Sequence, residues 1–196
     1  MDEVTAISLI VLAVALLLPV ISELLAERRL LLRGLQYLIF AVYVFANLYE
    51  TLLFRVVAPA PRYELGLFWS YREALSLHRH ADGGLRLLIT NSSLLKEILL
   101  NILLYIPLGY LLPFTWPSLA GKRQRALVPS GWLRRAFRLL AGIPWKVALI
   151  GMLASVLTEV TQLVFHLGLF EFDDILNNTL GCMIGLGMYW LLIGRR

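Results

Sequence analysis

Long apolar runs, separated by short polar punctuation, fill most of the chain. Five are long enough for helical membrane spans, which need roughly 20 apolar residues to cross about 30 Å of hydrocarbon. They are Val4–Ile21, Leu35–Phe54, Ile98–Trp116, Val147–Leu167 and Ile175–Ile193. The first has the length of a secretory signal. Asp2 and Glu3 nevertheless stand where a basic n-region belongs and no small-residue cleavage site follows, so it reads as a retained helix.

The pattern also predicts finer features. Asn91-Ser92-Ser93 closes the long connection 59–97 and offers an N-cap for the third span. Pro107 and Pro113 each remove a backbone donor inside that span, which predicts a kink. Gly181 and Gly185 have the GxxxG spacing of close helix packing in lipid. In the second long connection, 117–145, Trp132, Leu133, Phe137 and Leu140 fall near one face while Arg134, Arg135 and Arg138 fall toward another. That is the pattern of an amphipathic helix lying in a membrane interface. The expected fold is all-α: a polytopic bundle of about five transmembrane helices plus one interfacial helix. Residues 1–34 form an N-terminal helix with a basic turn, and 35–196 form the main membrane domain.

Composition agrees. Of the 196 residues 59% are hydrophobic and 16% charged, against about 25% charged in soluble domains, and the mean hydropathy is +0.76. The net charge of +5 raises the question of nucleic acid, but its distribution answers it. The turn after the first span, the 114–146 region and the C-terminus hold 12 of the 18 basic residues and only two of the 13 acids, Glu23 and Glu27. By the positive-inside rule this is the cytoplasmic side, so the expected topology is N-terminus out and C-terminus in. A basic surface there meets anionic lipid headgroups rather than nucleic acid. The single cysteine, Cys182, lies within the last span and cannot form an intrachain disulfide.

On this topology the polar residues within spans gather at one depth. Asn47, Glu50 and Arg55 lie in the outer half of the second span, Glu97 and Asn101 open the third, Glu159 and Gln162 share a face of the fourth, and Asp174, Asn177 and Asn178 open the fifth. The inner halves hold almost none. A charge at mid-bilayer costs about 2.5–3.5 kcal/mol on insertion scales, so such groups face a partner or a wet cleft. Glu159 is the deepest and the best candidate for a carboxyl whose pKa desolvation raises. The segment "EFDDILNN" (171–178) then reads as a short outer hairpin, with Glu171 and Asp173 in solvent and Asp174 and Asn178 on the wall of an outward-facing cleft. Asp173 has the simpler alternative of capping the fifth helix.

Other chemistry is thinly signalled. His78 and His80 have the spacing of a metal pair, but no Cys or third His stands nearby, and a solvated loop accounts for them; no metal or cofactor is expected. The run "FWSY" (68–71) reads as an aromatic anchor at the membrane surface. P-loop, GxSxG, HExxH and GxGxxG motifs do not occur, which excludes a soluble nucleotide-using enzyme.

The stretches "LFWSYREAL" (67–75), "LLNILLYIPLGYLLP" (99–113) and "LTEVTQLVFHLGLFEFDDILNNTLGCMIG" (157–185), in this order and spacing, resemble the VanZ-like membrane proteins. The resemblance runs from about Leu35 to the C-terminus. Position by position it marks Asn101, Pro107 and Gly109, then Glu159 and Gln162, then Asp174, Asn178, Thr179 and Gly181. Two departures matter. Leu67 stands where many members have proline, and "HLGLFEF" lacks the arginine that some carry before the acid pair, so no anion-binding role is carried over from it. The resemblance implies a small integral protein of the bacterial cell envelope, in a family whose founding member is associated with low-level resistance to teicoplanin, a lipoglycopeptide.

Three functions stay open. In the first, the cleft binds a lipid headgroup, a lipid-linked cell-wall precursor or the antibiotic itself, through Asn101, Gln162, Asn178, Arg55 and Glu97. In the second, the protein is an intramembrane enzyme acting on a lipid or lipid-linked substrate, with Glu159 as acid or base and Asp174 as an orienting carboxylate. The third, a small transporter, requires polar groups continuing through the inner halves, which are apolar.

Overall fold

Four helices in the computed structural model are long and apolar enough to cross a membrane. The structure describes residues 28–79, 85–119 and 145–193, with isolated positions between 10 and 21. The first expected span, the expected interfacial helix and His80 lie outside these residues. Helix α1, Arg29–Leu48, runs into a π-helical turn, Tyr49–Leu53; the short α2 is Trp69–Ala74; α3 is Ser92–Thr115, α4 Trp145–Phe165 and α5 Phe172–Leu192. The molecule is mostly helical, but the all-α expectation needs amending. Strands β1 (Arg62–Glu64) and β4 (Leu169–Glu171) pair in parallel with Tyr63 opposite Phe170, and β2 (Leu75–Arg79) and β3 (Leu85–Ile89) form an antiparallel hairpin.

Helix α3 begins well before its apolar run. Asn91 caps it, its side-chain oxygen accepting from the Leu94 N–H at 3.1 Å, so the polar turn "SSLLKE" is helical although it lies outside the hydrocarbon-like stretch. The helix runs unbroken through both buried prolines. Near Pro107, whose ring disturbs the preceding turn, the Tyr43 hydroxyl of α1 donates to the Leu104 carbonyl at 3.1 Å.

The most intimate contact is between α3 and α5, and glycines make it. A Cβ built on Gly181 would lie 2.1 Å from the Ile102 carbonyl oxygen, one on Gly185 1.9 Å from that of Ile106, and one on Gly109 1.7 Å from that of Cys182. Two backbones touch with no side chain between them, and in lipid such close packing is a main source of helix association. Gly151 of α4 similarly leaves room for Cys182. Apolar side chains of α1 and α4 point outward, among them Leu38, Phe45, Leu153 and Val164, as suits a lipid-facing surface.

The connection between α1 and α3 folds back over the α4–α5 junction, and Asp173 holds it there. Its carboxylate accepts from the Phe68 N–H at 2.6 Å, the Ser70 N–H at 3.0 Å and the Ser70 hydroxyl at 2.6 Å. These donors surround the N-terminus of α2, so Asp173 caps that helix from another part of the chain. Phe68 adopts the left-handed backbone (φ 57°) that turns the chain into α2. The Tyr71 hydroxyl donates to the Asn177 side-chain oxygen, and the Ala58 N–H to the His166 carbonyl. "FWSY" is thus a docking segment as well as an aromatic one.

Candidate functional site

Directly above the glycine contact the four helices part around a cavity of about 350 Å³. Its wall takes Glu50, Thr51 and Arg55 from the end of α1, Ser93, Lys96, Glu97, Leu100, Asn101 and Leu104 from α3, Thr158, Glu159 and Gln162 from α4, and Asp174 and Asn178 from α5. All seven residues read from the sequence as catalytic or ligand-binding candidates line this one cavity.

The π-helical turn places the α1 contribution. Such turns lodge within helices, often at functional sites, and this one buries Glu50 and Thr51. It ends the helix with carbonyls that need partners. Gln162 supplies one, its amide donating to the Thr51 carbonyl at 2.9 Å, which ties α4 to α1 within the cleft wall. Arg55 follows the turn, exposed, close enough to act electrostatically on both Glu159 and Asp174.

Glu159 is 2% exposed. One of its oxygens accepts from the Glu171 N–H at 3.1 Å, so the carboxyl is held from above by the strand that ends in α5. Next to it, Thr158 shares a 3.3 Å hydrogen bond with Tyr105 and donates to the Ala154 carbonyl. Asn178 is 4% exposed; its amide nitrogen donates to the Ser155 hydroxyl at 2.9 Å, and its oxygen has no partner among the described residues. Asp174 is half-buried, beside Asn101 and under the influence of Glu97. A buried polar atom without a partner costs about 1–3 kcal/mol, so the cleft is built for water or a polar ligand. Among the described residues no three His, Cys, Asp or Glu are grouped so as to ligate a metal ion.

Several expectations change. Glu171 and Asp173 are not in solvent: they are 6% and 0% exposed. The reason is the docking of "FWSY", which covers the hairpin and consumes the Asp173 carboxylate in three hydrogen bonds, so Asp173 caps α2 rather than its own helix. Burial, reinforced by the charges of Asp174 and Glu97, pushes Glu171 up to about 8. Asn177 serves Tyr71 and lies outside the cleft. Thr179 bonds back to the Ile175 carbonyl at 2.7 Å within α5. Asn47 lines a neighbouring cavity and donates to Tyr43. Pro107, Gly109, Gly181 and Gly185 are buried in the helix contact beneath. Thr51, Ser93, Lys96 and Thr158 escaped the sequence reading. Three of them sit one or more helical turns from a recognised acid or amide, a spacing that would have placed them on the same face.

The family model described as VanZ/LLP1 matches residues 8–193, nearly the whole chain, and the chain belongs to that family. The match begins inside the first expected span, further toward the N-terminus than the motifs that carry the resemblance. No curated protein and no solved structure matches the chain significantly.

Proposed function

We propose that this VanZ/LLP1 family member binds the polar headgroup of a membrane amphiphile, a lipid or lipid-linked cell-wall precursor, in the cleft between its helices on the extracytoplasmic side. One observation carries the reading: carboxylates, amides and two cations from four helices converge on one cavity beside lipid-facing surfaces. Membrane helices hold such groups only where they meet a partner or water. The charge asymmetry of the chain supports the outward orientation. A lipoglycopeptide, whose acyl tail enters the same leaflet, is a further occupant of this kind, and teicoplanin-type resistance follows if the cleft engages the drug or its target.

The test is an unbiased identification of lipids that copurify with the protein, repeated with Asp174→Asn. A defined lipid species retained by the wild type and lost from the variant is expected; identical bulk lipid in both contradicts the reading. For the resistance role, expression in a susceptible host raises the teicoplanin concentration needed for inhibition and leaves vancomycin less affected. Unchanged susceptibility to both removes it.

A second reading has its own support. Glu159 and Asp174 lie close enough to influence one another in different surroundings, one buried and held by a backbone N–H, the other at the cleft wall beside Asn101. Two carboxylates so differentiated are what general acid–base chemistry on a bound lipid requires. Turnover of the copurified species by purified protein, abolished in Glu159→Gln, establishes it. A bound lipid recovered unaltered after prolonged incubation sinks it.

A further inference from the structure

A second cavity of about 250 Å³ continues the cleft, lying between α1 and α4 with α3 at its back. Thr158 lines both spaces, and Thr51 and Leu104 of the cleft are followed in the chain by Leu52 and Tyr105 of this groove. The offset has the same sense on three helices. Toward the end of α1 and its π-helical turn, the cleft takes residues between 50 and 55 and the groove residues between 43 and 52. On α3 the cleft ends at Leu104 and the groove takes Tyr105 and Leu108; on α4 the cleft starts at Thr158 and the groove reaches back to Ala154. Tyr43, Leu108 and Ala154 each lie near the middle of a membrane-spanning helix. From Glu97 in the cleft to Leu108 in the groove is 11 residues, about 16 Å of helix rise. That is close to half of the ~30 Å hydrocarbon core. Cleft and groove together span one leaflet.

The two spaces differ in what they leave unsatisfied. The cleft wall holds two buried amide atoms without partners, the Asn101 nitrogen and the Asn178 oxygen. In the groove the polar side chains are turned inward. The Tyr43 hydroxyl donates to the Leu104 carbonyl at 3.1 Å and accepts from the Asn47 amide at 3.4 Å. Thr158 and Thr161 donate back to the Ala154 and Leu157 carbonyls at 3.1 and 2.7 Å, which takes their hydroxyls off the helix surface. Tyr105 shares its hydroxyl with Thr158. The rest of the lining is apolar, including Val44, Leu48, Leu52 and Leu157. The rim is open sideways, since Leu48 and Leu157 are 42% and 69% exposed.

We propose that one amphiphile occupies both spaces, its headgroup in the cleft and an acyl chain running down the groove between α1 and α4, entered sideways from the leaflet. This inference rests on the headgroup reading above and extends it to the rest of the ligand. An acyl chain needs no hydrogen bonds, and the groove has its own already made. In lipid an apolar groove gains little from hydrophobicity, because the surrounding tails are equally apolar. Its gain is van der Waals packing along a fixed path. The cleft therefore selects the headgroup, and the groove makes the ligand a long-chain lipid rather than a soluble molecule of the same polar chemistry.

The experiment places photoreactive benzoylphenylalanine in the full-length protein, in the membranes of the expressing bacterium. One position is Leu157, on the groove rim; the control is Leu153, exposed on the same helix and lining neither cavity. Lipids crosslinked at each position are identified by mass spectrometry beside those that copurify with the unmodified protein. Leu157 is expected to capture the copurifying species, enriched roughly tenfold over its share of the bulk, and Leu153 the bulk mixture. Asp174→Asn, which alters the cleft and not the groove, is expected to return Leu157 to the bulk composition. Ala154→Phe, which fills the groove, is expected to lower the copurified lipid by a similar factor, while Leu153→Phe does not. Should Ala154→Phe fail to fold, the comparison of Leu157 with Leu153 decides alone. Bulk lipid at Leu157 with a defined species still copurifying overturns the groove and leaves the headgroup reading standing. Adducts at Leu157 to another stretch of this chain, or to a second copy, overturn it as well. If no defined species copurifies and Leu157 yields bulk lipid, the headgroup reading fails with it.

Discussion

Helices α3 and α5 are sealed over one half of their shared length and parted over the other. From Ile102 and Gly181 downward the backbones touch, with carbonyl oxygens occupying the places where glycine side chains would begin. Asn101, the residue just before Ile102, and Asn178, one turn before Gly181, already line a cavity. The difference is a matter of residue size and polarity at consecutive turns. Glycine admits a backbone and excludes water; an amide or carboxylate demands a partner and holds the helices open. The dry half fixes the angle and depth at which the wet half presents its groups.

The sharpest break of this comparison is to fill the seal. Gly181→Leu or Gly185→Leu places a side chain where a carbonyl oxygen already lies within 2.1 Å of the Cβ position. A loss of about 3 kcal/mol or more is expected, visible as aggregation in size-exclusion chromatography or failure to reach the membrane. Gly187→Ala, with nothing within 4 Å of its Cβ position, stays within about 0.5 kcal/mol of wild type. Equal effects at Gly185 and Gly187 would contradict the close approach.

Next is the lid of the wet half. Asp173→Ala removes a carboxylate that accepts three hydrogen bonds, and charged hydrogen bonds contribute about 1.5–3 kcal/mol each without adding fully. A loss of about 3 kcal/mol and new protease cleavage within 59–90 are expected, with the helices intact by circular dichroism. Smaller is the tie between α4 and α1. Gln162→Leu leaves the Thr51 carbonyl without its donor, about 1–2 kcal/mol, and shows as faster hydrogen exchange around the π-helical turn. The mildest perturbation is pH. Glu171 rises from its ordinary 4.5 to about 8 in the folded protein, so folding favours the protonated acid. That contribution is fully favourable below about 4.5 and is lost as pH rises toward 8, because the unfolded chain gives up the proton first. Glu171→Gln flattens the pH dependence of thermal stability over this window, and an unchanged profile counts against the burial.

The four described spans were legible because an apolar run of about 20 residues has few alternatives, and the Asn91 cap because its chemistry is local. The cleft was legible for a related reason: intramembrane polar residues are rare enough that their depths can be compared from the sequence alone. Asp173 and Glu171 were not, because their partners are remote. Ser70 lies 103 residues from Asp173, and nothing local distinguishes a carboxylate in solvent from one that caps another segment. The strands β1 and β4 are three residues each, too short for an alternation pattern. The start of α3 was displaced for the opposite reason: its first turns are helical but polar, so hydropathy ends before the helix does.

The central claim, that the cleft holds a headgroup, is tested most directly by photocrosslinking in membranes with a phospholipid whose diazirine is in the headgroup, followed by peptide mapping. Adducts concentrated on 93–101 and 171–178, reduced in Asp174→Asn, are the predicted result. Adducts confined to the outward-facing side chains of α1 and α4, unchanged in the variant, would contradict it.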